Sequence, residues 1–264
     1  MASENINLHI DEGIATLTLN RPSRHNAFDD TLIQELTDTL IALGQQDEVR
    51  AVVLAGEGKS FSAGADLNWM KRMADYDRED NYRDAQALGH LMHTLDALPK
   101  PTIARVHGAA LGGGVGLVAS CDVAIAASTA VFSLSEVRLG LMPAAISPFV
   151  IKAMGERQAR RYFITAERFD ADEARRIGLV HEVVAPDALD ATINELLERL
   201  RANGPHAMVA AKQQVLDVGG RPVDTAMLED SARRIADIRV SPEGREGISA
   251  FLDKRKPDWT PADD

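Results

Sequence analysis

Cysteine is nearly missing from this chain: Cys121 is the only one in 264 residues, so no intrachain disulfide can form. A lone cysteine in an apolar run reads as a small buried residue rather than a nucleophile. Long hydrophobic runs are missing too. The uncharged stretch LGLMPAAISPFVI at 139–151 falls short of the roughly 20 residues a bilayer requires and is broken by Pro143 and Pro148. The N-terminal MASENINLHIDEG has neither the basic nor the apolar region of a signal peptide, so a cytoplasmic protein without membrane contact is expected. Positive charge is in deficit, 29 Lys and Arg against 40 Asp and Glu for a net charge of -11, which opposes nucleic acid as a main partner because phosphate binding needs a basic face. The basic spots MKR at 70–72 and DKRKPDW at 253–259 read as solvated helix ends. None of the seven histidines has ligand spacing, and His90 with His93 reads as one helix surface, so no metal is expected.

What is present is an ordinary globular composition, 45% hydrophobic and 26% charged, without internal repeats or low-complexity segments. INLHI and IATLTLN alternate like two strands around a DEG turn, and DTLIQELTDTLIALGQQ follows with helical spacing behind the capping candidates Asp29 and Asp30. RAVVLAG, PTIARVHG and DVAIAA read as strands, with the helix NYRDAQALGHLMHTLDAL among them, so strands and helices alternate as in an α/β fold. From about residue 186 the strands stop and four helical patterns succeed one another. The division predicted is an α/β core over 1–200 and a helical region over 201–264.

Glycine is concentrated in HGAALGGGVGL, where Gly112, Gly113, Gly114 and Gly116 interrupt what could be a good helix start, at a cost of about 1 kcal/mol each in a helix interior. A dinucleotide fingerprint fails here because Leu117 stands where its third glycine belongs. A phosphate loop at Gly58-Lys59-Ser60 fails because Val53 occupies the place of its first glycine. Bare backbone entering a helix also makes a donor for a developing oxyanion, but such a hole needs two N–H groups. The partner candidate is SFSAGADLNWM at 60–70, a small-residue loop after a strand. FSLSEVRLGLMP offers Glu136 as an acid or base in apolar surroundings, with pairing to Arg138 or another base as the structural alternative.

The segments NRPSRHNAF, FSAGADL, HGAALGGGVGL, CDVAIAA, LSEVRLGLMP, ITAERFDADEARRIGLV and FLDKRK, in this order, resemble the crotonase superfamily, the enoyl-CoA hydratase/isomerase group, from about residue 6 to 256. The resemblance implies a spiral of ββα units followed by a C-terminal helical region that assembles trimers or dimers of trimers. It implies that the backbone N–H groups of Ala65 and Gly113 form the oxyanion hole for a thioester carbonyl, and that Glu136 is catalytic. Coenzyme A enters as part of the substrate, not as a permanently bound cofactor. It would be held by Arg24, His25, Ala63, Asp66 and Leu67, with Phe251 and Lys254 closing over the nucleotide, commonly from an adjacent subunit. Trp69, Met70, Gly116, Met142, Pro143 and Ala144 would line the acyl pocket, Trp69 and Met70 having core packing as an equal alternative.

One departure stands out: the second glutamate of typical enoyl-CoA hydratases would fall at Gly116. The water-positioning stretch also differs. PAAISPFV replaces a glycine-rich segment, with Ala144 expected to keep its backbone N–H available and Ile146 and Pro148 to reshape the acyl pocket. SAGADLNWM, GGGVGL and LSEVRLGLMPAAISPFVIKAMGERQARRYFITAERFDA together resemble the bacterial methylglutaconyl-CoA hydratase branch, including hydratases of longer carboxylated prenyl acids. This implies hydration of a 3-branched glutaconyl thioester in leucine or acyclic terpene breakdown, the distal carboxylate taking Lys71, Arg72 or Arg138 as its cation. An enoyl-CoA double-bond isomerase using one glutamate is the alternative. A non-catalytic binding protein on the same fold is opposed by the acidic charge and the retained Glu136.

Overall fold

A computed structural model describes residues 4–260, so the outermost residues of the two expected divisions, 1–3 and 261–264, lie outside it. The chain opens with the hairpin β1 (Ile6–Asp11) and β2 (Ile14–Leu19), joined at Glu12 and Gly13, both at positive φ as a tight hairpin turn requires. Helix α1 (Asp30–Gly44) starts where the Asp29 carboxylate accepts from the Leu32 amide at 2.9 Å, and it buries Leu32, Ile33, Leu36, Leu40 and Leu43 at helical spacing.

Three similar turns of chain follow. The first is β3 (Ala51–Gly56), β4 (Ser60–Ser62), α2 (Leu67–Met73) and α3 (Arg78–Asp96). The second is β5 (Thr102–Val106), β6 (Ala109–Leu111) and α4 (Gly113–Ser120); the third is β7 (Val123–Ala127), β8 (Val131–Ser133), a 3-10 turn at Glu136–Leu139, and α5 (Ser147–Thr165). The chain then adds β9 (Phe169–Asp170), α6 (Ala171–Arg176), β10 (Glu182–Val184) and the helices α7 (Leu189–Arg201), α8 (Pro205–Val218), α9 (Thr225–Val240) and α10 (Pro242–Asp253). In each turn the first strand joins a six-stranded sheet ordered β1-β2-β3-β5-β7-β10 and the second joins a smaller sheet ordered β4-β6-β8-β9. This is the expected crotonase-type ββα spiral.

The sequence of β3, AVVLAG, is apolar at nearly every position because both faces of this parallel interior strand are covered. One face looks into the main core with α1, α3, α4 and α5; the other packs Val53, Ile103 and Ile125 against Leu189, Ile193 and Leu197 of α7. Cys121 lies buried, and desolvation pushes its thiol well up, in keeping with a packing role. Among the last helices α8 is tied down by Lys212, whose ammonium meets Asp122 at 2.8 Å and the Lys100 carbonyl at 3.2 Å. Val215, Leu228, Phe251 and Leu252 nonetheless stand exposed on these helices, and Val223 on the loop between α8 and α9. No helix among the described residues is long and apolar enough to cross a membrane.

The segment between β2 and α1 is stitched to the loop flanking β4. Fully buried Asn26 accepts from the Arg21 amide at 2.8 Å and donates to the carbonyls of Glu57 (2.9 Å) and Ser60 (2.8 Å). Asn26 itself sits at φ +54, a conformation asparagine tolerates better than most residues. Asn26→Ala removes all three bonds and strains the backbone, so urea unfolding should show a loss of about 2 kcal/mol or more. A loss below about 0.5 kcal/mol would show that water replaces these bonds without cost.

Candidate active site

Three groups singled out in the sequence stand just beyond the C-terminal ends of three adjacent parallel strands of the small sheet. Ala65 comes three residues after β4, Gly113 two after β6 and Glu136 three after β8. The Gly112 amide donates to the Ser133 carbonyl at 2.9 Å, locking the end of β6 to that of β8.

The glycines let these ends converge. Gly64 (φ +88) and Gly112 (φ +50) adopt backbone conformations that side chains disfavour, and a Cβ on Gly64 would stand 3.0 Å from the Leu111 carbonyl oxygen and 3.9 Å from the Gly112 Cα. A Cβ on Gly113 would press the Phe28 ring at 3.0 Å, and one on Gly114 would meet the Ser62 carbonyl oxygen at 2.6 Å. The first amides of a helix have no intrahelical acceptor, and Gly113 opens α4. Neither the Gly113 nor the Ala65 amide has an acceptor among the described residues.

Ala65 is held from both sides. The Phe28 amide donates to the Gly64 carbonyl and the Asp66 amide to the Phe28 carbonyl, each at 2.7 Å, so a strap of backbone fixes the peptides around it. Asp66, 5% exposed, caps α2 by accepting from the amides of Asn68 (2.7 Å) and Trp69 (3.4 Å), while its other oxygen meets Arg24 at 3.1 Å. Burial alone would raise the Asp66 carboxyl, but those amides and Arg24 outweigh it and hold it below the usual carboxylate range.

Glu136 has no such partners. Oε1 lies 3.1 Å from where a Gly112 Cβ would be, and Oε2 is buried with no hydrogen-bond partner among the described residues. Burial pushes its carboxyl above the ordinary glutamate range and outweighs the hydrogen bond from its own backbone. Arg138 does not pair with it; that guanidinium donates to the Ala166 carbonyl at 2.7 Å. The pairing alternative for Glu136 is therefore ruled out.

The remaining expected residues divide. Arg24, His25, Ala63, Asp66 and Leu67 gather beside Ala65: the His25 ring nitrogen is 3.1 Å from the Ser60 hydroxyl, and the Ala63 amide donates to the His25 carbonyl at 2.9 Å. Leu67 is 74% exposed and Arg24 half exposed. Phe251 and Lys254 end α10, which packs on α8 and α9; within one chain the structure does not bring them to this cluster. Trp69 is buried in the main core, Met70 is half-buried, and Pro143 is buried between exposed Met142 and Ala144. The Ala144 N–H, expected to be available, is instead spent on the Met142 carbonyl at 2.8 Å, because the chain makes a tight turn there before α5. Gly116 is buried against Ile146 and Met92. Of the cations weighed for a carboxylate, Arg72 pairs with Asp30 at 2.5 Å and Lys71 is exposed; Arg138 lines a cleft of about 270 Å³ with Leu111, Ser133, Ser135, Leu139 and Arg168. Among the described residues no group of three or more His, Cys, Asp or Glu could hold a metal.

Sequence reasoning missed Asn26 and Phe28 as positioning residues and Met92 as a neighbour of Gly116. Their partners lie far off in sequence, and only NRPSRHNAF as a motif marks the first two.

An α/β spiral with two backbone amides lacking acceptors and an unpartnered carboxyl at neighbouring strand ends is the arrangement the crotonase resemblance implies. The comparisons with known proteins agree: the Enoyl-CoA hydratase/isomerase family profile matches residues 9–262. The chain belongs to that family, and a coenzyme A thioester substrate comes with it. It is similar to a crystal structure of an enoyl-CoA hydratase from Shewanella pealeana, at 44% identity, covering 97% of this chain and 96% of the other with a TM-score of 0.94. Among curated relatives, the crotonyl-CoA hydratase of Syntrophomonas wolfei is 35% identical, covering 97% of this chain and 98% of the relative. The 2,3-dehydroadipyl-CoA hydratase of Escherichia coli is 34% identical, covering 93% and 94%.

The raised Glu136 carboxyl carries a stability signature. A carboxyl whose folded-state value lies above its unfolded one favours folding below the unfolded value and loses that contribution as pH rises through the folded one. Glu136→Gln should therefore melt higher than the parent at pH 8, the difference shrinking as pH falls to 4; a variant melting lower at pH 8 would show that the carboxylate has a stabilising partner.

Proposed function

We propose that this protein adds water across the double bond of a 3-branched glutaconyl-CoA, methylglutaconyl-CoA or a longer carboxylated prenyl-CoA, in leucine or acyclic terpene breakdown. The observation that carries the reading is the Glu136 carboxyl, buried without a counter-charge and lying over Gly112 at the start of α4. The thioester carbonyl accepts from the amides of Ala65 and Gly113, each such bond worth about 3 kcal/mol toward the enolate-like transition state. Glu136 takes one proton from water as the hydroxyl oxygen bonds to the β carbon. The double-bond electrons move to the α carbon and carbonyl oxygen, and the proton on Glu136 then passes to the α carbon. The net change is one water added, with Glu136 returned to its starting state. A carboxyl raised by burial suits both halves of this exchange, since it is a better base than an exposed glutamate and still gives the proton back.

Arg24, set by Asp66, supplies a half-exposed cation for coenzyme A phosphate, with His25, Ala63, Asp66 and Leu67 forming the cradle. Phe251 and Lys254 reach that cradle from a neighbouring subunit in a trimer or dimer of trimers. The apolar residues exposed on the helices of 201–264 support such an assembly. The distal carboxylate is assigned to Arg138, which lines the cleft beside the end of β8. That related proteins are named for hydration of a crotonyl and of a dehydroadipyl thioester supports water addition, and the second supports a carboxylated acyl chain.

The second reading, a double-bond isomerase, is favoured by the same solitary carboxyl, since one base suffices to move a proton between the α and γ carbons. Offered 3-methylglutaconyl, crotonyl and 3-enoyl thioesters, the purified protein should form a hydroxyacyl product fastest from the first. A shifted double bond as sole product would establish the isomerase. Glu136→Gln should lower kcat by about a thousandfold while coenzyme A binding holds within about twofold; an unchanged rate removes Glu136 from the mechanism.

A further inference from the structure

Gly112 caps α4 with a non-helical backbone (φ +50), and its carbonyl accepts from the Gly116 amide at 3.3 Å, so the two glycines stand about one turn apart at the start of the helix. Over Gly112 lies the carboxyl of Glu136. Over Gly116 lies Ile146: a Cβ on Gly116 would stand 2.5 Å from the Ile146 Cγ2, 2.9 Å from its Cβ and 3.2 Å from the Met92 Cε. The acid and the isoleucine thus cover two glycines one turn apart. The second contact explains why Gly116 bears no side chain, because even a methyl group would collide with a β-branched residue near its own backbone.

Ile146 has little freedom to yield. It is 2% exposed, Met92 is fully buried, and its carbonyl accepts from the amides of Phe149 (3.2 Å) and Val150 (3.1 Å) at the start of α5. Its branched Cβ restricts χ1, and Pro148 fixes the backbone two residues on. The volume a second carboxylate would need beside Glu136 is filled with hydrocarbon.

We propose that Ile146 is a specificity-determining residue: seated on Gly116 one helical turn from the Glu136 carboxyl, it limits the size of the acyl branch that can stand beside that acid and presents it with an alkyl wall. A small β-alkyl branch packs on this wall. A larger branch is excluded, and a carboxylate is turned away because the wall offers it no donor. The inference rests on the reading that the acyl chain passes beside Glu136, but not on which reaction follows.

Saturated thioesters, which can be neither hydrated nor isomerised, separate the two questions. Titration calorimetry of the full-length protein with 3-methylhexanoyl-CoA and 3-propylhexanoyl-CoA reads the preference for the smaller branch as a ratio of Kd values. In Ile146→Ala that ratio should shift toward the larger branch by about tenfold or more, and in Ile146→Val by less. Equal ratios in the parent and both variants would overturn the proposal. Should Ile146→Ala fail to fold, Ile146→Val alone decides, since removing one methylene must still move the ratio measurably. The contact has its own check. Gly116→Ala should lower Tm markedly in the parent but far less in the Ile146→Ala background, and equal losses in both would place Ile146 elsewhere.

Discussion

The close approach of two stretches of bare main chain, at Gly64 and Gly112, governs everything else in this site. A Cβ on the first would stand 3.0 Å from the Leu111 carbonyl oxygen, so no side chain can separate the loops leaving β4 and β6. Each of these glycines is followed by a residue whose amide is left over, Ala65 and Gly113. Such donors stabilise developing charge only if they are already aimed, because an amide that must reorient gives back what it gains. The aiming comes from structure outside the loops. Phe28 straps the Gly64 and Asp66 peptides, Asn26 fixes the turn carrying that strap, and Asp66 uses the helix amides of Asn68 and Trp69 to hold the next residue in place.

Glu136 and Asp66 show how the same chemical group is set to opposite tasks. Both carboxyls are removed from water, yet Asp66 is held low by two amides and an arginine while Glu136, with no counter-charge, is pushed up by its burial. A fold gains nothing in stability from an unpartnered carboxyl, and among the described residues Glu136 has the one carboxylate oxygen in the set of buried side-chain atoms left without a partner, which points to chemistry. Under the proposed reaction the cost is borne in the resting protein so that the proton is held loosely enough to move.

Much of this was legible in the sequence, and the reasons differ by element. The interior of the six-stranded sheet is visible because AVVLAG, TIARV and VAIAA are buried on both faces and so have continuous apolar sequences, whereas β10, three residues long, escaped. The small sheet escaped a reading by periodicity, because SFS, AAL and VFS are three residues each, too short to show a period. Ala65, Gly113 and Glu136 could be named only through the ordered resemblance, since one amide looks like any other until a partner loop lies against it. The Ala144 amide was misjudged for a similar reason: whether an N–H is free depends on the turn, and the Met142 carbonyl that takes it is invisible in PAA. Phe28 and Asn26 act across more than thirty residues on Gly64, Asp66, Glu57 and Ser60, contacts no local pattern encodes.

The fold also separates what must stay constant from what can vary. The donors and the acid sit at the ends of β4, β6 and β8, whose register is fixed by hydrogen bonds between neighbouring strands, so shifting one strand would displace all three groups at once. The wall beside the acid is built differently, from Ile146 at the mouth of α5 and Met92 on α3, and neither takes part in the small sheet. Side chains there can change in size without moving a strand. Gly116 belongs to both sets, being on α4 next to the fixed donors yet shaped by the variable wall. A glutamate could enter at 116 only together with a smaller residue at 146. A side chain at 116 and the bulk at 146 are thus coupled, because the PAAISPFV segment sets Ile146 where only a glycine at 116 leaves room for it.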